Sequence, residues 1–140
     1  MVDGYDQAVF VLGVDEHALT VLNEHYASKT PFDPAFEGLY TRMVPGLDGY
    51  PKMSKTIPGS GIQMDADPER VAALVRDAAG DGEPPAESTV YQMMCLVSEY
   101  DADRLAALES ACRTGGEDWD AAVAEYGGFL ADLAAKWPDG

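Results

Sequence analysis

"MVPGLDGYPKMSKTIPGSGIQMDADPERV", residues 43–71, is the stretch on which the reading of this chain turns. Its end starts a helix. Asp67 offers a short carboxylate to the unpaired N–H groups of a first turn, and Pro68 falls at the first helical position, where a missing N–H costs nothing. Its beginning ends a strand, because Pro45 and Gly46 cannot continue one. Between them runs a Pro-, Gly- and Ser-rich loop that carries Lys52 and Lys55. The chain has a formal net charge of -16 and only four lysines in 140 residues, so half of its lysines stand three apart on one loop.

Upstream, "QAVFVLG" (7–13) is a short continuous apolar run that ends in glycine, and it suits a buried parallel strand. "VDEHALTVLNEHYASK" (14–29) follows as a helix, with Leu19, Leu22 and Tyr26 at helical spacing and Asp15 and Glu16 where a first turn favours acids. Strand, glycine, acid, helix is the local order of a nucleotide-binding α/β unit, in which ligands lie beyond the carboxyl ends of the strands. "TPFDPAFEG" (30–38) reads as a turn-rich connector, and Leu39 to Val44 as a second short strand.

Downstream the pattern becomes helical. Val71, Leu74, Val75 and Ala78 form an apolar stripe that Gly80 and Gly82 end, and "DGEPPAES" (81–88) reads as a hinge. Ser88 caps the next helix, with Tyr91, Met94, Cys95 and Val97 or Ser98 along one side. Asp101 starts another, with Leu105, Leu108 and Cys112 facing inward, and "TGGED" (114–118) breaks it. Trp119, Val123, Tyr126, Leu130, Leu133 and Trp137 then recur every three or four residues. Gly127 and Gly128 in the middle of that helix imply close approach of a neighbour, since each weakens it by about 1 kcal/mol relative to alanine. The expected organisation is an α/β segment over 1–66 that includes the lysine loop, then an all-α bundle over 67–140.

Composition narrows the function classes. Asp and Glu total 25 against nine Lys and Arg, spread along the whole chain rather than gathered in a tail. A solvated surface suited to a salt-rich cytoplasm, where the screening length falls to about 3 Å at 1 M salt, explains this better than an acidic face that repels nucleic acid or binds cations. No run approaches the roughly 20 apolar residues of a membrane span. "MVDGYDQ" has neither the basic region nor the apolar core of an export signal, so a cytoplasmic location without membrane is expected. Cys95 and Cys112 are expected to be buried free thiols. His17 and His25 are too few and too scattered for a zinc site, and no metal site is expected.

The loop itself suits a polyphosphate. Two ammonium groups, a serine hydroxyl and flexible glycines can all approach the charge that builds on a departing pyrophosphate, and stabilisation that grows with that charge lowers a barrier. A loop can also close once the nucleotide has arrived.

The letters of the loop carry a resemblance. "KMSKT" (52–56) resembles the KMSKS signature of class I aminoacyl-tRNA synthetases, with Thr56 in place of the last serine. The whole of 43–71 resembles the surroundings of that signature in tryptophanyl-tRNA synthetases, where a P-G-L-x-G segment precedes the loop and an I-x-x-x-D-x-P-x-x-V/I segment follows it. "VLGVDEHALTVLNEHYASK" (11–29) is similar to the family's G-x-D-Q turn and its helix, and the helices from Ser88 to Trp137 are similar to its anticodon-binding bundle. The resemblance implies a C-terminal remnant of a Rossmann-type catalytic domain followed by a helical bundle. It implies Lys52 and Lys55 as the catalytic pair on the phosphates of ATP, which arrives with Mg2+, and Met53, Ser54 and Thr56 as the rest of the ATP loop. Gly13 and Asp15 match the positions that meet the ATP ribose.

Two departures qualify what the resemblance implies. Glu16 stands where the family has a glutamine that holds the amino acid, and a carboxylate cannot donate as an amide does. The second signature, H-x-G-H, does not occur in these 140 residues. The expected function is therefore the C-terminal portion of a tryptophanyl-tRNA synthetase, with tryptophan, ATP and tRNA as partners. It is expected to be active only with a missing N-terminal half supplied by a longer chain or a separate polypeptide, and a homodimer partner is a further expected contact. A tyrosyl enzyme, a non-catalytic tRNA- or protein-binding remnant and a nucleotide-binding regulatory module are the alternatives.

Overall fold

The structure, a computed structural model, describes residues 7–29 and 35–137. These divide into two compact units, one ending at Met43 and the other beginning at Val44.

The first unit is built on two strands, β1 (Gln7–Gly13) and β2 (Ala35–Thr41). They pair in parallel, in register from Gln7 opposite Ala35 to Gly13 opposite Thr41. Parallel neighbours need a crossover rather than a hairpin. Here a 3-10 turn, Val14–Glu16, and helix α1 (His17–Ala27) stand between them. The Phe10 and Phe36 rings stack at 5.6 Å, and His17 of α1 meets the Tyr40 ring at 5.2 Å.

The bounds expected for β1 hold, but its burial does not: Val9 and Val11 are 58% and 65% exposed, as is Leu39 opposite Val11 at 60%. Side chains alternate across a sheet. Among the described residues only the Phe10 and Phe36 face is covered, by α1. The helix corrects a second expectation. Leu19, Leu22 and Tyr26 are exposed, while Thr20 and Ala27 are buried. Seven residues make nearly two full turns, so this small pair lies on one line and lets the helix come close. β2 starts four residues earlier than expected and stops at Thr41 rather than Val44. Pairing with all seven residues of β1 sets its length, and Gly38 is a strand residue opposite Phe10 rather than a turn glycine. Of the connector expected over 30–38, residues 30–34 lie outside the described residues.

The second unit holds four helices: α2 (Pro68–Ala78), α3 (Thr89–Leu96), α4 (Ala102–Thr114) and α5 (Glu117–Ala135). Three begin on the expected caps. Asp67 Oδ1 accepts from the amides of Glu69 at 2.9 Å and Arg70 at 3.3 Å, Ser88 from Tyr91 at 3.3 Å, and Asp101 from Arg104 at 2.8 Å. Asp67→Ala is expected to cost about 1 kcal/mol, with Asp67→Asn close to neutral. Urea denaturation checks this as a lowered midpoint at unchanged slope.

The core joins Val71 and Val75 of α2, Val90, Met93 and Met94 of α3, Leu108 and Cys112 of α4, and Trp119, Ala122, Val123, Tyr126, Leu130 and Ala134 of α5. Gly127 is where α2 comes closest. A Cβ there would sit 3.4 Å from the Ala72 carbonyl oxygen and 3.6 Å from its Cα, whereas one on Gly128 would meet open space. The close approach expected at both glycines is therefore made at Gly127 alone. Two polar edges of buried aromatics are satisfied: the Trp119 indole N–H donates to the Gly80 carbonyl at 2.7 Å, and the Tyr126 hydroxyl to the Val97 carbonyl at 3.1 Å. Burial pushes the Tyr126 phenol far above its usual range.

Three further expectations are corrected. Cys95 is exposed and only Cys112 is buried. Met94 is buried as expected, but Val90, Gln92 and Met93 join it in place of Cys95, and the helix stops at Leu96, where the Ser98 hydroxyl donates to the Met94 carbonyl. Leu133 and Trp137 are exposed, while Leu130 and Ala134 are buried, so the buried line of the last turns passes from Leu130 to Ala134 beside Leu133, and Trp137 stands beyond the end of α5. The division expected at 66/67 concerns roles. The compact units part earlier because Val44, Met53, Ile62, Met64 and Ala66 all pack against the helical core.

Candidate functional site

The lysine loop is a closed structure rather than a flexible tether. Its entry is a tight turn. Asp48 and Gly49 take the left-handed conformation at φ 56° and 79°, and the Gly46 amide donates to the Tyr50 carbonyl at 2.8 Å. Gly46 is needed for space: a Cβ there would lie 2.5 Å from the Tyr50 Cβ and 2.8 Å from the Lys52 carbonyl oxygen. Two amides then tie the strands of the loop together. Leu47 donates to Ser60 at 2.9 Å, and Met53 to Val44 at 3.1 Å. Leu47 is buried, and Met53 packs on the core of its unit, so the loop stands on an apolar base.

At the tip, Ser60 is fully buried and acts as the clasp. Its hydroxyl accepts from the Ser54 amide at 3.1 Å and shares its proton between the carbonyls of Ser54 and Ile57, both at 2.9 Å. The Ser54 and Thr56 hydroxyls pair at 2.9 Å, so the residue in the last position of the motif keeps a role that only a hydroxyl can fill. Lys55 and Thr56 are exposed at the apex, and Lys52 is half-buried at its base. Residues 39–64 carry three basic side chains, Arg42, Lys52 and Lys55, against one acid, Asp48.

The remaining sequence-predicted residues lie in the first unit, at the carboxyl end of the parallel pair. Gly13 ends β1 in an extended conformation, so it is required for room rather than for backbone freedom. A Cβ would stand 2.6 Å from an Asp15 carboxylate oxygen and 3.2 Å from the Met43 sulfur. Asp15 is exposed in the following 3-10 turn, and Glu16 is half-buried behind it. The Thr41 hydroxyl donates to the Leu12 carbonyl at 3.4 Å and ties the two strand ends together. Each group is thus assembled within its own unit: Gly13, Asp15 and Glu16 in the first, Lys52 to Thr56 in the second.

Ser60 and Gly46 were not legible as functional positions. A serine within P-G-S-G reads as flexible linker, and nothing in the letters marks its hydroxyl as buried. In the bundle, Arg104 pairs with Glu125 at 2.6 Å and lies over the Tyr100 ring, and Arg113 pairs with Glu109 at 2.9 Å. Both arginines are committed to acids of their own chain. No group of three His, Cys, Asp or Glu side chains able to hold a metal occurs among the described residues, and no helix among them is long and apolar enough to cross a membrane.

The family model for class I tRNA synthetases (W and Y) matches residues 3–123, which takes in the whole of the lysine loop and reaches into the second unit as far as α5. No curated protein matches the chain.

Proposed function

The chain belongs to the class I tRNA synthetases of the W and Y type, and from that premise we propose that it is the loop-carrying, C-terminal portion of a tryptophanyl-tRNA synthetase. The family uses ATP with Mg2+ to activate an amino acid and passes that amino acid to tRNA. The assignment to tryptophan rests on the likeness of 43–71 to the tryptophanyl pattern. The Rossmann-type origin of the first unit, the division of roles at 66/67 and a halophilic cytoplasmic setting belong to the same reading.

One observation carries it: a self-clasped loop presents Lys55 to solvent at the apex and holds Lys52 at its base, in a stretch where base outnumbers acid. These residues fit a triphosphate. Two ammonium groups can follow negative charge as it moves from the bridging oxygen to the leaving pyrophosphate, and the Ser54 and Thr56 hydroxyls can reorient towards phosphate oxygens. Met53 would lie beside adenine through its backbone. Gly13 would admit the ribose, and Asp15 would accept from its hydroxyls. Glu16 lacks the donor needed to bind the amino acid's carboxylate, so that contact would come from elsewhere. Magnesium would travel with the phosphates.

With no H-x-G-H among its 140 residues, this polypeptide by itself is expected to give no amino-acid-dependent exchange of labelled pyrophosphate into ATP. Clear turnover by the purified chain would overturn the need for a second catalytic part. In a complete enzyme that carries this segment, exchange is expected with tryptophan. Exchange with tyrosine alone would reassign the amino acid and leave the loop's role standing.

A further inference from the structure

We propose that Ser60 is a positioning residue for the polyphosphate, acting through the place it gives to Lys55; this rests on the reading of the loop given above. Several features set Ser60 apart from its neighbours. It is wholly buried in a segment whose flanking residues Pro58 and Gly59 are exposed. Its hydroxyl meets both the amide and the carbonyl of Ser54, the residue immediately before Lys55, and also the carbonyl of Ile57, two residues after it. Its own amide donates to Ile57 at 3.2 Å and its carbonyl accepts from Leu47 at 2.9 Å. One side chain therefore holds both shoulders of the arch on which Lys55 stands, and the backbone carbonyl of the same residue joins them to the Leu47 turn.

The other bonds of the arch are local: the Ser54 hydroxyl pairs with that of Thr56 and accepts from the Thr56 amide at 3.4 Å. Ile57 donates back to the Ser54 carbonyl at 3.2 Å, and Gly59, at φ 82°, gives the chain the turn that brings Ser60 inward. Lys55 lies on a long flexible stem. Its ammonium is useful only if the arch confines where that stem begins, because a charge misplaced by about 1 Å can cost about 100-fold in an oriented reaction. An alanine at position 60 would leave the Ser54 amide without its acceptor and take one of two donors from each of the Ser54 and Ile57 carbonyls, and the arch would loosen.

The test is a double-mutant cycle read by calorimetric binding of magnesium pyrophosphate to the 140-residue chain, comparing the unmodified protein, Ser60→Ala, Lys55→Ala and the pair. Ser60→Ala is expected to weaken binding roughly 10-fold when Lys55 is present and less than about twofold when it is absent. An equal loss in both backgrounds would mean that Ser60 supports the fold without placing the lysine, and would overturn the proposal. So would binding that Ser60→Ala leaves within twofold of the unmodified chain. No binding to the unmodified chain at millimolar pyrophosphate would overturn the polyphosphate reading itself, and this role with it. Should Ser60→Ala fail to fold, hydrogen exchange at the Ser54 amide of the unmodified chain decides. Pyrophosphate is expected to slow that exchange at least fivefold in the unmodified chain and not in Lys55→Ala; unchanged exchange in the unmodified chain would overturn the proposal.

Discussion

Lys55→Ala, made in a complete enzyme that carries this segment, is expected to slow amino-acid activation by roughly 30- to 1,000-fold and to leave the Michaelis constant for ATP within about threefold. Lys55 is exposed at the apex of its loop, so in the free protein its ammonium is hydrated and available. The charge of bound ATP is already spread over three phosphates and its metal. What changes on the way to the transition state is the charge on the departing pyrophosphate. A contact that strengthens only then raises the rate and does little for ground-state affinity. One charge-assisted contact of this kind is worth about 2–4 kcal/mol. Single-turnover formation of the adenylate, measured over a range of ATP concentrations, separates the two parameters. A loss confined to the ATP Michaelis constant would show that the lysine binds substrate and takes no part in the chemistry.

The second large effect is on stability. Trp119→Ala is expected to destabilise the helical unit by about 3–5 kcal/mol, since it empties a fully buried site and leaves the Gly80 carbonyl without its indole donor. Trp137→Ala serves as its counterpart. That side chain is 56% exposed, and its loss should fall within about 0.5 kcal/mol of zero. Urea unfolding followed by far-ultraviolet circular dichroism measures both. Equal effects would mean that the stripe from Trp119 to Trp137 is buried along its whole length, as its periodicity alone suggests.

The contrast between those two tryptophans marks what periodicity can and cannot tell. Caps were legible because they are local: Asp67, Ser88 and Asp101 each bind amides two or three residues away. The start of α5 was legible for a similar reason, at Gly115 and Gly116 with their positive φ, whereas of the two mid-helix glycines expected to mark contact only Gly127 does. Which residue of the last turns is buried was not legible, because Leu133 and Ala134 both keep helical spacing from Leu130 and only packing selects Ala134. Leu19, Leu22 and Tyr26 show the same limit. They keep helical spacing, yet the line of small residues through Thr20 and Ala27 is the one that meets the sheet. In the site, Lys52 and Lys55 stood out by rarity and chemistry. Ser60 did not, because its importance lies in burial, and a single serine among glycines gives no sign of that.

The fit of Gly127 against Ala72 also sets an order of events during synthesis. Those residues are more than fifty positions apart, and α5 supplies six of the thirteen buried side chains of the core. At about 5–20 residues per second, a ribosome releases the lysine loop several seconds before the helix that completes the surface beneath it. Until then Met53, Ile62 and Met64, which anchor both ends of the loop, have only part of a core to rest on. The loop that appears midway through the chain is thus among the last parts of its unit to take shape. A transcript that ends before α5 would encode every residue of the lysine loop and lack the platform that supports it.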